Sequence, residues 1–117
     1  MAITDNYEMV EISARIKTDM LNYIEPGETS YSPLEVEECM QILQDYLVGM
    51  ENKETKDDAM LLVEKTVLAL NDLNQRCQFE LIETDQREDI CELIILAGKM
   101  KGFNTRDEDI TEEWREW

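Results

Sequence analysis

Histidine is absent from the sequence. That removes the commonest general base, the Cys–His and Ser–His–Asp arrangements, and most zinc and di-iron sites. Glycine and proline are scarce, four and two residues, and they cluster only at Pro26-Gly27. So few chain breakers favour long helices over many short strands. The three serines, Ser13, Ser30 and Ser32, sit in no nucleophile motif. No Gly-rich loop is present to cradle a phosphate. No loop alternates oxygen ligands as a calcium site does, and no basic patch interleaves with aromatics as a nucleic-acid surface does. No apolar run reaches the ~18–20 residues of a membrane span. The opening MAITDNYEMVE lacks the basic start and apolar run of a secretion signal. Cys39, Cys77 and Cys91 are odd in number, far apart, and form no CxxC. Each lies beside apolar helix positions, where free cysteine packs as a small hydrophobe. The expectation is a reducing, cytoplasmic compartment, with no catalytic group, cofactor or metal.

What is abundant is acid. The chain has 117 residues, expected to form one domain over 1–117. That is long enough to bury a core without a metal or disulfide staple. Hydrophobic residues make up 43% and charged residues 33%, a folding rather than a disordered mix. Against 28 Asp and Glu stand 11 Lys and Arg, giving a net charge of −17. The acid is spread along the chain and is not a terminal tail. Such a surface repels nucleic acid and anionic membranes and attracts basic surfaces.

Apolar periodicity predicts an all-α fold: a four-helix bundle plus a short C-terminal helix, over about 5–24, 33–50, 55–82, 85–101 and 105–116. In the first, capped by Thr4 or Asp5, the stripe Met9, Ser13, Ile16, Met20 and Tyr23 is widened by Val10, Ala14, Leu21 and Ile24. Pro26-Gly27 stops it. Ser32-Pro33-Leu34-Glu35 is a capping box with proline at the first helical position. Behind it Val36, Cys39, Met40, Leu43, Leu47 and Met50 face inward, with Ile42 and Tyr46 at the edge. Thr55 and Asp58 repeat the capping pattern. The third helix turns Ala59, Leu62, Val63, Thr66, Ala69, Leu70, Leu73, Cys77 and Leu81 to the core, leaves Asn71, Asn74 and Gln75 solvated, and admits a kink near Gln78. A short break, capped at Thr84 or Asp85, makes helices three and four antiparallel neighbours. Ile90 to Met100 is apolar nearly all round, which predicts the central helix. Gly98 within it costs ~1 kcal/mol relative to Ala, so a neighbouring helix is expected close to Ala97-Gly98. Gly102 is the expected left-handed end residue. In the last segment, capped near Thr105–Glu108, Ile110, Trp114 and Trp117 share one helix face that docks on the core.

Two constellations bear on function. Glu35-x-x-Glu38 followed by Glu54-x-x-Asp57 resembles the ExxE…ExxD pattern of the MazG-like all-α nucleotide pyrophosphohydrolases. The resemblance implies carboxylates from two adjacent helices holding magnesium against a nucleotide's phosphates. If helices two and three are antiparallel, however, the pairs lie ~25 Å apart, whereas one ion needs its ligands within a few Å. Stabilisation of helix starts by the dipole explains all four residues. The second constellation is the acid at the turns and helix starts: Glu35, Glu37, Glu38, Glu54, Asp57, Asp58, Asp107, Glu108 and Asp109. These are the candidate partner-binding residues, since carboxylates on a rigid scaffold meet basic rows on a partner and steer its approach.

In size, charge and helical class the chain resembles the small acidic bacterial immunity proteins that neutralise a toxin. Acidic phage or plasmid inhibitors and DNA mimics are close in kind. The Tyr-Tyr recognition pair of the colicin nuclease immunity proteins is absent, so no residue roles carry across. The resemblance implies a non-enzymatic protein that caps a basic protein, a nuclease-type toxin or another nucleic-acid-binding protein, without touching nucleic acid or membrane, as a monomer or homodimer. A structural or regulatory homodimer, paired through an exposed helix face, is the remaining alternative.

Overall fold

The computed structural model describes residues 2–24 and 29–117. A short 3-10 turn, Ile3–Asp5, precedes four helices: α1 Tyr7–Asn22, α2 Pro33–Glu51, α3 Lys56–Arg76 and α4 Thr84–Met100. No strand occurs among the described residues. The Pro26-Gly27 stop lies outside them; α1 has already ended at Asn22.

The start of α2 is as its sequence dictates. The Ser32 N–H donates to Glu35 Oε1 at 2.7 Å, and Leu34 N–H donates to Ser32 Oγ at 3.3 Å. Behind the cap, Val36, Cys39, Leu43, Leu47 and Met50 are buried. Tyr46, expected at the edge, is buried too, because its hydroxyl finds the Ile94 carbonyl of α4 at 2.7 Å. α2 touches α1, α3, α4 and the 3-10 turn, and it is the centre of the bundle. The Ile90–Met100 stretch expected there packs chiefly on α1 and α2, and none of its residues before Lys99 is exposed. Ile90, Leu93, Ile94 and Ala97 are fully buried, but Cys91 and Ile95 are half-buried and Lys99 and Met100 are exposed. α4 packs mainly on α1, and α3 mainly on α2.

α1 is capped by Asn6, whose Oδ1 accepts from Met9 N at 3.0 Å, and not by Thr4 or Asp5. Its core stripe is Met9, Ile12, Ile16 and Met20. Tyr23, expected on the stripe, is exposed, and so are Val10, Ala14 and Leu21, expected to widen it. The helix is apolar on two opposite sides, and the pattern alone favours the wrong neighbours for Met9 and Ile16.

α3 stops at Arg76, six residues short of the expected end at Ile82. Gln78 N–H bonds to the Gln75 carbonyl and Phe79 N–H to the Asn74 carbonyl, 3.1 and 2.8 Å. This is a Schellman end with Gln78 at φ +59° and Phe79 at φ +61°. Left-handed backbone costs a non-glycine residue roughly 1–2 kcal/mol. Burial of Leu81 and Ile82 offsets it, as does the Ile82 N–H bond to Asn74 Oδ1 at 2.9 Å. α4 ends in the same motif with glycine in its usual place: Gly102, φ +79°, follows the cap, and Phe103 N–H reaches the Gly98 carbonyl at 3.0 Å. At its start the cap is Glu83, one residue before the expected Thr84 and two before Asp85; its N–H donates to Gln86 Oε1 at 3.2 Å.

The C-terminal helix expected over 105–116 is not formed; the segment is a chain of turns. Its side chains take the hydrogen bonds a helix would need. Asp109 Oδ1 accepts from Thr111 N and Oγ1, at 3.0 and 2.5 Å, and Thr105 N–H donates to Glu108 Oε1 at 3.0 Å. Ile110, Trp114 and Trp117 still pack against the core. Asn71 and Asn74, expected in solvent, are buried. Asn71 Nδ2 donates to the Trp114 carbonyl at 2.8 Å and its Oδ1 accepts from Glu116 N at 3.1 Å. On the α4 side, Asn104 Nδ2 bonds the Ile95 carbonyl at 3.1 Å. The segment thus ties α3 to α4, which are not each other's main packing partners. The close neighbour at Gly98 is accordingly no helix. A Cβ there would sit 2.0 Å from Asn104 Oδ1.

All three cysteines are free. Burial pushes the Cys39 thiol up to about 12 and raises those of Cys77 and Cys91. They therefore stay protonated and pack, as expected of core cysteine.

Candidate functional site

The helices alternate in direction, so the bundle has two ends of different character. Arg76, the last residue of α3, pairs with Glu38 near the start of α2. Arg15 of α1 pairs with Asp89 early in α4 at 3.0 Å. One end therefore gathers the close of α1 and α3 with the opening of α2 and α4. The other gathers the close of α2 and α4 with the opening of α1 and α3. There Lys101 Nζ donates to the Glu51 carbonyl at 3.0 Å, and Lys53, Lys56 and Lys99 belong to the same end.

The nine candidate carboxylates do not form one surface. Glu35, Glu37 and Glu38 lie at the first end. Glu35 is occupied as the capping-box acceptor, and the Ser32 N–H and hydroxyl hold its carboxyl below the usual range. Glu37 pairs with Lys17 at 2.9 Å, and Glu38 with Arg76. Glu54, Asp57 and Asp58 lie at the lysine-bearing end, exposed, with no ion pair among the described residues. Asp107 is likewise exposed. Glu108 is held below its ordinary range by the Thr105 N–H. Burial pushes Asp109 up, but hydrogen bonds from Thr111 and Arg115 outweigh it and leave its carboxyl lowered. Glu35, Glu108 and Asp109 are thus part of the fold's own turns.

The two carboxylate pairs with pyrophosphohydrolase-like spacing are kept apart. α2 has 19 residues, which separates them by about 28 Å, and Glu38 faces an arginine. Among the described residues no group of three or more Asp, Glu, Cys or His is placed to hold a metal ion.

The first end holds groups that sequence reasoning missed. A cleft of about 320 Å³ is lined by Tyr23, Thr29, Tyr31, Glu80, Glu83, Thr84 and Asp85. A second, of about 300 Å³, adjoins it through Tyr23 and Asp85 and adds Asp19 and Asn22. Among the described residues neither lining includes a lysine or arginine. Tyr31 is buried, donates to the Met20 carbonyl at 3.1 Å, and has its phenol raised by burial and then by Glu83. Glu80 accepts from Ser30 N–H at 2.9 Å. Three large apolar side chains stand in solvent at the same end: Tyr23 is 50% exposed, Phe79 59% and Leu34 73%. A third helix continued to Ile82 hides this, because it places Phe79 and Glu80 on a helix instead of a loop.

A further cleft, about 370 Å³, runs between α4 and the C-terminal segment and includes Arg87, Arg106 and Arg115. Two of the three are taken: Arg106 by Glu8 and Glu92, Arg115 by Asp109. Compared with protein-family models, with curated proteins and with solved structures, the chain finds no match.

Proposed function

We propose that this chain is a non-enzymatic acidic binding protein that neutralises or regulates a basic protein partner, in the manner of an immunity protein against a nuclease-type toxin. The observation that supports this is the charge on the scaffold. Net charge is −17, and most carboxylates make no ion pair among the described residues. A firmly packed bundle presents them at fixed positions, so little ordering entropy is lost when a partner binds. A long-range field of one sign also speeds the encounter. The same chemistry suits a phage or plasmid inhibitor or a DNA mimic, which would occupy a basic groove meant for nucleic acid. We place the protein in the cytoplasm, in keeping with its three protonated, unpaired thiols. No helix of the described residues is long and apolar enough to cross a membrane.

One observation favours a second reading. Tyr7, Val10 and Leu21 are exposed on one side of α1 with Ala14 between them, a face that could pair with its copy in a regulatory homodimer. Charge of one sign on both copies opposes that pairing.

Affinity capture from the source cell, followed by titration of the captured partner at rising salt, tests the proposal. The expected partner is basic, and its affinity should fall about tenfold or more between 50 and 500 mM salt, as screening shortens the range of exposed charge. Capture of only neutral or acidic partners, or an affinity indifferent to salt, would contradict it. A doubled mass in sedimentation, without a basic partner, would favour the homodimer.

A further inference from the structure

A basic partner could meet so acidic a surface in many places, and the two ends of the bundle are not equivalent. Resting on the basic-partner reading, we propose a docking face for a cationic, amphipathic segment of that partner. It is the end of the bundle formed by the last turn of α1, the first turn of α2 and the α3–α4 connection. Apolar side chains of the segment seat on Tyr23, Leu34 and Phe79. Its arginines or lysines enter the cleft walled by Tyr23 and Tyr31 and rimmed by Glu80, Glu83 and Asp85.

Exposed apolar side chains scattered singly need no explanation. Here three stand at one end, two of them aromatic, each about half exposed or more. Large aromatic groups are enriched among residues that carry binding energy. Phe79 is held outward on a left-handed backbone, where Gly or Asn would be the cheaper residue.

Charge selects the occupant. Among the described residues no cation lines the cleft. On the flanking helices Lys17 is engaged by Glu37 and Arg76 by Glu38 and Asp72, while Arg87, in the first turn of α4, lines the separate cleft toward the C-terminal segment. An incoming guanidinium therefore meets carboxylates in a cleft whose own described lining holds no cation. Its plane can stack on a tyrosine while its fork takes a carboxylate, a pairing for which arginine is suited. The opposite end does not offer this match, because its carboxylates Glu54, Asp57 and Asp58 share it with Lys53, Lys56, Lys99 and Lys101. A second copy would bring like charge against like, and nucleic acid or an anionic membrane would be repelled.

The test is a titration of the isotopically labelled full chain with a synthetic twelve-residue arginine/leucine amphipathic peptide, following backbone amides by NMR. The largest shifts are expected over Leu21–Ile24, Ser30–Val36 and Cys77–Gln86. Phe79→Asn, which keeps a residue tolerant of left-handed backbone, should weaken binding by about tenfold, the loss typical of an exposed aromatic anchor. Tyr23→Ser, in a well-exposed position, should do the same and serves if the Phe79 variant melts early. Neutralising the opposite end with Glu54→Gln, Asp57→Asn and Asp58→Asn should change affinity by less than about threefold, a rim-charge effect. Shifts centred on Lys56–Glu64 or spread evenly, or full affinity in the Phe79 and Tyr23 variants, would overturn this docking face while leaving the basic-partner reading intact. No binding of the cationic peptide or of any basic protein at low salt would overturn that reading itself. Concentration-dependent shifts of the same amides with a doubled mass, in the absence of peptide, would show a second copy on this face and refute the proposal.

Discussion

Replacing Gly98 by alanine sets two opposing terms against each other. Alanine in mid-helix should gain ~1 kcal/mol over glycine. At this position, however, the added methyl would lie 2.0 Å from Asn104 Oδ1 and 3.1 Å from its Cγ. Asn104 is buried, and its Nδ2 holds the Ile95 and Thr105 carbonyls at 3.1 and 3.0 Å. The side chain cannot swing away without giving up both bonds, worth about 1 kcal/mol each and more where an acceptor is left buried and unpaired. Ile110 Cδ1, 3.5 Å from the same point, is at ordinary contact distance and need not move. The clash and the lost bonds together outweigh the propensity gain, leaving a net loss of roughly 1–2 kcal/mol. For a domain of this size that is a fall in Tm of about 5–10 °C. Urea unfolding followed by circular dichroism measures it. Asn104→Ala in the Gly98→Ala background removes the colliding atom, so the double variant should be more stable than the sum of the single losses allows. A Gly98→Ala protein as stable as the native chain, or more so, would refute the close-approach reasoning.

Tyr46→Phe removes the hydroxyl that reaches the buried Ile94 carbonyl at 2.7 Å. It should cost about 1–2 kcal/mol in urea melts, and an unshifted midpoint would contradict the bond. Asn71→Ala should free the C-terminal turns from α3. The chain has two tryptophans, Trp114 and Trp117, both in that segment, so their emission should move to the red well below the global melting temperature; unchanged emission would count against the tie. Glu35 has a lowered folded pKa because Ser32 donates to its carboxylate. Its stabilisation is therefore present above the unfolded value of about 4.3 and is lost as pH falls through the folded value. The gap in Tm between the native chain and Glu35→Gln should be open at neutral pH and close on strong acidification, and a gap constant down to about pH 3 would contradict the linkage.

Features fixed by neighbours along the chain are legible in the sequence. The Ser32–Glu35 box can be read in full because all its partners lie within four residues, and Gly102 can be read for the same reason. Features fixed across the bundle are legible only in kind. The need for close approach at Gly98 is visible, but the approaching group is Asn104 from a turn. The two-sided apolar pattern of α1 does not say which side turns inward; the burial of Ile12 and the exposure of Val10 follow from where α2 and α4 sit. The end of α3 carries no glycine, and the burial of Leu81 and Ile82 decides it. The C-terminal stretch has helical spacing, yet Asp109, Thr111 and the distant Asn71 claim its backbone. For the candidate site, the excess of Asp and Glu is readable, and the separation of Glu35/Glu38 from Glu54/Asp57 follows from antiparallel helices. The grouping of Glu80, Glu83 and Asp85 with Tyr23, Tyr31 and Phe79 is not readable, because it depends on where α3 stops.

Recognition of a cationic partner at one end of the bundle, and not by diffuse negative charge, is tested most directly by the slope of affinity against salt for the arginine/leucine peptide. The slope is measured with the acidic cleft neutralised (Glu80→Gln, Glu83→Gln, Asp85→Asn) and with the opposite end neutralised (Glu54→Gln, Asp57→Asn, Asp58→Asn). The expected result is that the first set weakens binding and flattens the salt dependence while the second leaves both near the native values. Equal effects of the two sets, or a steep slope that survives loss of the cleft carboxylates, would contradict it.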